Sequence, residues 1–157
     1  MDQRKFVLEQ LKAHHLTVST AESCTGGMIA AALTDLAGSS SVFVGGVVSY
    51  WTEIKHKVVG VSRETLDEFG AVSPQTAKEM AEGVRNIMGA DLGVSVTGVA
   101  GPDSDERGNP VGCVYLALSD GKETHVYKPE HLGNDRESIR RGAVDFALKL
   151  LIAYCGR

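Results

Sequence analysis

A chain of 157 residues, 43% hydrophobic and 6% aromatic with 18 glycines, can bury one core without disulfides or metals and is short for two domains. Its net charge of −4 excludes the broad clustered-basic footprint of a nucleic-acid binder. No apolar run reaches the roughly 20 residues of a membrane span, and "MDQRKF" lacks the apolar stretch of a signal peptide, so a single cytoplasmic domain over residues 1–157 is expected.

The opening "DQRKFVLEQLKAHH" places Phe6, Val7, Leu8 and Leu11 on one helix face. A short β-prone run, "LTVST", follows, and "GGMIAAALTDLAG" reads as a helix that begins at the glycines and stops at Gly38. The segment between them, "TAESCTGG", is therefore a strand-to-helix turn. After the small-residue loop "AGSSS", "VFVGGVVSYW" has the Val-rich character of a buried strand, with Gly45-Gly46 marking a bulge or a close backbone approach and Tyr50 delivered at its end.

"TEIKHKVVG" predicts one or two helical turns, and "SRETLDEFG" a short helix with Ser62 as N-cap and Gly70 as C-cap. In "VSPQTAKEMAEGVRNIMGA", Ser73 caps, Pro74 takes the first helical position, Ala77, Met80, Ala81, Val84 and Met88 share a face, and Gly89 ends the helix. "DLGVSVTG" is the next strand and opens into "GVAGPDSDERGNPVG", a loop whose length is usually functional. Two β-prone runs around Asp120-Gly121 predict an antiparallel hairpin. The last helix, "NDRESIRRGAVDFALKLLIAY", has Asn134 and Glu137 at capping-box spacing and turns Ile139, Phe146, Leu150 and Leu151 to the core. Helices alternating with strands, then a hairpin, imply an α/β fold: a three-layer α/β/α sandwich around a mixed, mostly parallel sheet.

Cys24, Cys113 and Cys155 form no C-x-x-C, and His14, His15, His56, His125 and His131 form no H-E-x-x-H. Reduced thiols, exposed histidines and no structural metal are expected.

Ligands of open α/β sheets bind beyond the carboxyl ends of the strands, which brings "AESCTGG", "SYWTEIK" and "TGVAGPD" together. Ser23 precedes a helix start whose unpaired N–H groups at Thr25, Gly26 and Gly27 suit a phosphate or a developing oxyanion. The glycines serve either ligand, and Ser23 or Thr25 as a plain helix cap is the competing assignment. A nucleophilic Ser23 needs a base, and no histidine is obviously placed. Lys55 and Lys57 are the candidates; bringing a lysine from about 10.4 towards 7 takes roughly three pKa units, about 4 kcal/mol of desolvation and neighbouring positive charge. Cys24 is the rival nucleophile, a thiol near a helix N-terminus.

Two look-alikes lack their companions. Thr52 and Lys55 make T-x-x-K without the S-D-N and K-T-G elements of penicillin-binding enzymes, and Tyr50 and Lys55 stand five apart with no G-x-G-x-x-G. No Walker A loop is present either.

Together, "TAESCTGG", "GGVVSYWTEIK", "GAVSPQTAKEMAEGVR", "VSVTGVAGPD", "NPVGCVYLAL" and "NDRESIR" resemble, in order and over nearly the whole chain, the C-terminal domain of CinA (competence/damage-inducible protein A). That family includes stand-alone nicotinamide-nucleotide amidohydrolases, often called PncC. The N-terminal nucleotide-binding domain of full CinA proteins has no counterpart in this sequence. The resemblance implies hydrolysis of the carboxamide of nicotinamide mononucleotide to nicotinic acid mononucleotide and ammonia, in pyridine nucleotide salvage, without metal or organic cofactor.

The resemblance also implies roles. The serine of E-S-C-T-G-G is Ser23, the lysine of a Y-S-N-E-A-K-like pattern is Lys55, and its tyrosine is Tyr50. Thr25, Gly26 and Gly27 border the nucleophile and offer amides for an oxyanion. Thr97, Gly98 and Gly101 match a T-G-x-x-G-P loop read as a wall of the site, with Thr97 a hydrogen-bond partner for Lys55 or substrate. Arg136 and Arg140, in the counterpart of a G-D-R segment, are the candidates for the substrate phosphate. Here "NDR" replaces the commoner glycine form, and "GPDSDERGNP" is more acidic than the glycine-rich loop usual in the family. The alternative is a non-catalytic nucleotide-binding or regulatory module with a phosphate held at the helix start. A homodimer is the expected assembly, with no nucleic acid and no membrane as partner.

Overall fold

The computed structural model describes residues 1–157. In chain order the elements are α1 (Gln3–Ala13), β1 (Val18–Glu22), α2 (Met28–Thr34), a 3-10 turn (Ser39–Ser41), β2 (Phe43–Val48), α3 (Thr52–Lys57), α4 (Arg63–Phe69), α5 (Pro74–Met88), β3 (Leu92–Gly98), β4 (Val114–Ser119), β5 (Thr124–Tyr127) and α6 (Arg136–Cys155). The strands form one sheet in the order β2-β1-β3-β4-β5. β1 runs parallel to both β2 and β3, and the β3–β4 and β4–β5 pairs are antiparallel.

Alternation along the strands divides the core between two faces. Val18, Leu92, Val94, Val96, Val114, Leu116 and Leu118 pack under α1, α2 and α6 in the larger cluster. On the other face, Ala21 meets Met80 and Val84 of α5, with Val59, Val61 and Leu66, while Ala117 meets Ala77 and Ala81. α5 lies across the sheet because its apolar stripe is narrow and small, so the backbone approaches closely. The layers are thus α/β/α. β1 connects outward to β2 through α2 on one face, and β2 returns past β1 to β3 through α5 on the other. The carboxyl ends of β1, β2 and β3 meet where the connections diverge, the usual ligand crevice of such sheets.

Four local expectations are corrected. β1 starts two residues later than "LTVST" and extends through Glu22, because its two parallel neighbours carry pairing that far. β2 is an edge strand with alternating exposure, leaving Val44 and Val48 about half exposed (47% and 52%), so its valines do not mark a buried strand. Its register slips past Val44 opposite Val18 and Ser19, the bulge signalled by Gly45-Gly46. α2 ends at Thr34, short of Gly38. The box that starts α6 is made by Asp135 and Ser138, one residue beyond Asn134 and Glu137. Asp135 accepts the Ser138 N–H while the Ser138 hydroxyl accepts the Asp135 N–H.

Candidate functional site

β1 ends at Glu22, and the next residue, Ser23, stands where the chain turns into α2. Its N–H remains in the sheet, donating to Val96 O at 3.0 Å. Gly26 and Gly27 then take φ of +59° and +104°, values that a Cβ resists. That left-handed step lets α2 begin directly above the strand end.

The start of α2 is closed by a side chain from below. The carboxylate of Glu22, 1% exposed, accepts Ile29 N–H at 2.8 Å, Ala30 N–H at 3.0 Å and the Thr25 hydroxyl at 2.6 Å. It satisfies the orphan donors that an N-cap side chain would otherwise take. This corrects the expectation that Ser23 or Thr25 caps the helix: Thr25 spends its hydroxyl on Glu22, and Glu22 itself takes the Ile29 and Ala30 amides. Glu22 was not singled out in the sequence, where it sits two residues past the predicted strand end.

Ser23 has a partner from β2's end. Lys55 of α3 is 1% exposed, and its Nζ lies 2.8 Å from Ser23 Oγ, 2.7 Å from Ser49 O and 3.1 Å from Tyr50 O. Burial lowers its pKa from 10.5 to about 8, against a weaker upward pull from Cys24. A neutral Lys55 has two N–H donors for the two carbonyls and one lone pair, which then faces the serine hydroxyl. Lys57 is exposed. Cys24 is buried in the core, and burial raises its thiol to about 11, the opposite of an activated nucleophile.

A cleft of about 250 Å³ opens over this pair, lined by Ser23, Cys24, Tyr50, Lys55, the β3 loop from Thr97 to Gly101, and Arg136 among others. No histidine lines it. Gly98 closes the wall against β4, where a Cβ would meet Val114 Cγ2 at 2.6 Å. Tyr50 is 54% exposed at the mouth, its hydroxyl accepting from Arg136 Nη2 at 3.3 Å, while Arg136 Nη1 donates to Gly101 O at 2.6 Å. One guanidinium thus ties the β2 end to the β3 loop.

Three expected contacts differ. Thr97 donates its hydroxyl to Ala71 O at 2.7 Å and is therefore no partner of Lys55. Arg140 turns beneath the turn that carries Ser23, donating Nε to Cys24 O at 3.0 Å and Nη2 to Thr25 O at 3.5 Å, so it braces backbone and is not among the residues lining the cleft. Gly26 N–H is committed to Ser23 O at 3.0 Å. The amides in this turn without a hydrogen-bond partner are those of Cys24, Thr25 and Gly27.

The long loop after β3 is pinned rather than loose. Asp105 accepts from Arg107 N–H, Asn109 N–H and Asn109 Nδ2, and Arg107 donates to the carbonyls of Asp67, Glu68 and Leu66 at the end of α4. Against the upward push of burial, these hydrogen bonds hold the Asp105 carboxyl below its usual range.

No helix is long and apolar enough to cross a membrane.

Comparison with known proteins follows the same lines. The CinA C-terminal domain model matches residues 2–155. A putative competence-damage inducible protein of Desulforudis audaxviator is 48% identical over 153 residues, covering 98% of this chain and 37% of its own length. A CinA-like protein of Kosmotoga olearia is 48% identical over 144 residues, covering 92% and 35%. The chain spans about a third of the length of these curated relatives. Among solved structures, a CinA superfamily protein from Klebsiella pneumoniae superposes with a TM-score of 0.94 at 34% identity, over 98% of this chain and 96% of that one. The competence/damage inducible protein CihA from Agrobacterium tumefaciens gives 0.91 at 40% identity, over 100% and 97%.

Proposed function

Because the chain belongs to the CinA C-terminal domain family, we propose that it is an amidohydrolase that removes the carboxamide nitrogen of nicotinamide mononucleotide by a Ser23–Lys55 mechanism. The observation that carries this reading is the buried Lys55 amine 2.8 Å from Ser23 Oγ, with both remaining hydrogens engaged by the carbonyls of Ser49 and Tyr50. A serine hydroxyl is a weak nucleophile without a base, and a desolvated lysine titrating near 8 supplies one.

In this mechanism Ser23 Oγ attacks the amide carbon as Lys55 accepts its proton. The oxyanion that forms needs donors fixed in advance, and the unpartnered amides of Cys24, Thr25 and Gly27 are the candidates. Collapse breaks the C–N bond, Lys55 returns the proton to the departing nitrogen, and ammonia leaves. Water, deprotonated by Lys55, then hydrolyses the ester and frees nicotinic acid mononucleotide and Ser23. Arg136, which lines the cleft, is the proposed partner of the substrate phosphate; Arg140 supports the turn that carries Ser23.

The test is partition of the intermediate. With nicotinamide mononucleotide and hydroxylamine, part of the product should appear as the nucleotide's hydroxamate, with the remainder nicotinic acid mononucleotide. Formation of the acid with no hydroxamate, at unchanged rate in Ser23→Ala, contradicts the acyl-enzyme.

A further inference from the structure

The acidic loop supplies charges that the chemistry above does not use. Asp103 and Asp105 both line the cleft that holds Ser23 and Lys55. Asp105 is bound by Asn109 and the Arg107 amide, so its oxygens are already engaged. Asp103 is exposed and forms neither a hydrogen bond nor an ion pair. Arg136, on the same cleft, meets only a carbonyl and a phenol oxygen and no carboxylate. A free carboxylate and a guanidinium without a counter-ion therefore share a cleft of about 250 Å³ without pairing with each other.

Such an arrangement suits a ligand that carries both signs of charge. Nicotinamide mononucleotide is one: N-ribosylation fixes a positive charge on the pyridine ring, and the far end bears phosphate. We infer that Asp103 is a specificity residue that recognises the cationic ring, so that the cleft selects N-ribosylated pyridinium amides over uncharged aromatic amides. This inference rests on the deamidase reading. A single carboxylate facing a fixed cation at a partly open site gives a modest preference, and it falls with salt.

The experiment measures binding to the catalytically silent Ser23→Ala protein, with and without Asp103→Asn. Three ligands separate the charges: nicotinamide mononucleotide, its reduced dihydropyridine form with an uncharged ring and the same phosphate, and nicotinamide riboside with the cationic ring and no phosphate. Asp103→Asn should weaken the two cationic-ring ligands about threefold and leave the reduced form unchanged, and Asp103→Glu should restore the preference. Equal loss for all three ligands, or no loss for any, overturns the role of Asp103 while leaving the deamidase reading intact. Failure of all three to bind, with no ammonia released from nicotinamide mononucleotide by the wild type, contradicts the deamidase reading and this inference with it.

Discussion

Lys55 reaches Ser23 across 32 residues of sequence, with Nζ 2.8 Å from the serine oxygen and 1% of the side chain's residue surface exposed. The lysine is held by the carbonyls of the two residues that follow β2, Ser49 and Tyr50, while the serine, one residue past β1, is held by Val96 O of β3. The parallel β1–β2 pairing therefore brings Ser23 and Lys55 together.

The state of Lys55 should govern activity with pH. In the proposed mechanism the neutral amine is the base, and its pKa of about 8 means that kcat/KM for nicotinamide mononucleotide should rise tenfold per pH unit below that point and level off above it. Lys55→Arg, which stays protonated, should be inactive throughout. A flat profile from pH 6 to 9 would remove Lys55 as the base.

Stability should carry the same signature. The unfolded chain holds the Lys55 proton up to about 10.5, whereas the folded chain releases it near 8. Between those values the unfolded state binds more protons, so unfolding free energy rises with pH, by on the order of 3 kcal/mol across the window. Below pH 8 the full penalty of burying the charge is present. Urea melts of wild type and Lys55→Met should diverge in pH dependence only in that range; parallel curves would contradict the buried ammonium.

Glu22 should matter more for folding than its place in the motif suggests. Glu22→Ala leaves the Thr25 hydroxyl and the N–H groups of Ile29 and Ala30 without their acceptor. The expected cost is about 3 kcal/mol, or roughly 10 °C in Tm, measurable by thermal melting. A loss under about 0.5 kcal/mol would mean that water replaces the carboxylate, as at an ordinary surface cap.

The two arginines should separate kinetically. Arg136→Ala should raise KM for nicotinamide mononucleotide while having little effect on nicotinamide riboside, which lacks the phosphate. Arg140→Ala should instead lower kcat about tenfold, since it frees the carbonyls of Cys24 and Thr25 and loosens the nucleophile turn. Identical kinetic effects of the two substitutions would contradict the division of roles.

Much of the fold was legible because each layer has its own period. The stripe of Ala77, Met80, Ala81 and Val84 marks α5, and Ser73-Pro74 marks its start. The edge position of β2 was hidden, since Val and Gly in sequence do not tell which side lacks a neighbour. At the site, Ser23 and Lys55 were both nameable, yet the choice between Lys55 and Lys57 came from family resemblance; spacing alone left both open. Their difference in burial depends on how α3 sits against the ends of β1 and β2. Glu22, Thr97 and Arg140 were misread or missed for one reason. Each satisfies a backbone or neighbouring group, Ala71 O for Thr97 and Cys24 O for Arg140, and such partners are set by tertiary approach.

The most direct measurement is ammonia release from nicotinamide mononucleotide by wild type and Ser23→Ala, with folding of both checked by circular dichroism. Ser23 Oγ is the only atom that changes at the proposed point of attack. Release by wild type and none above background from folded Ser23→Ala is the expected result. Equal release from both would contradict serine catalysis in this chain.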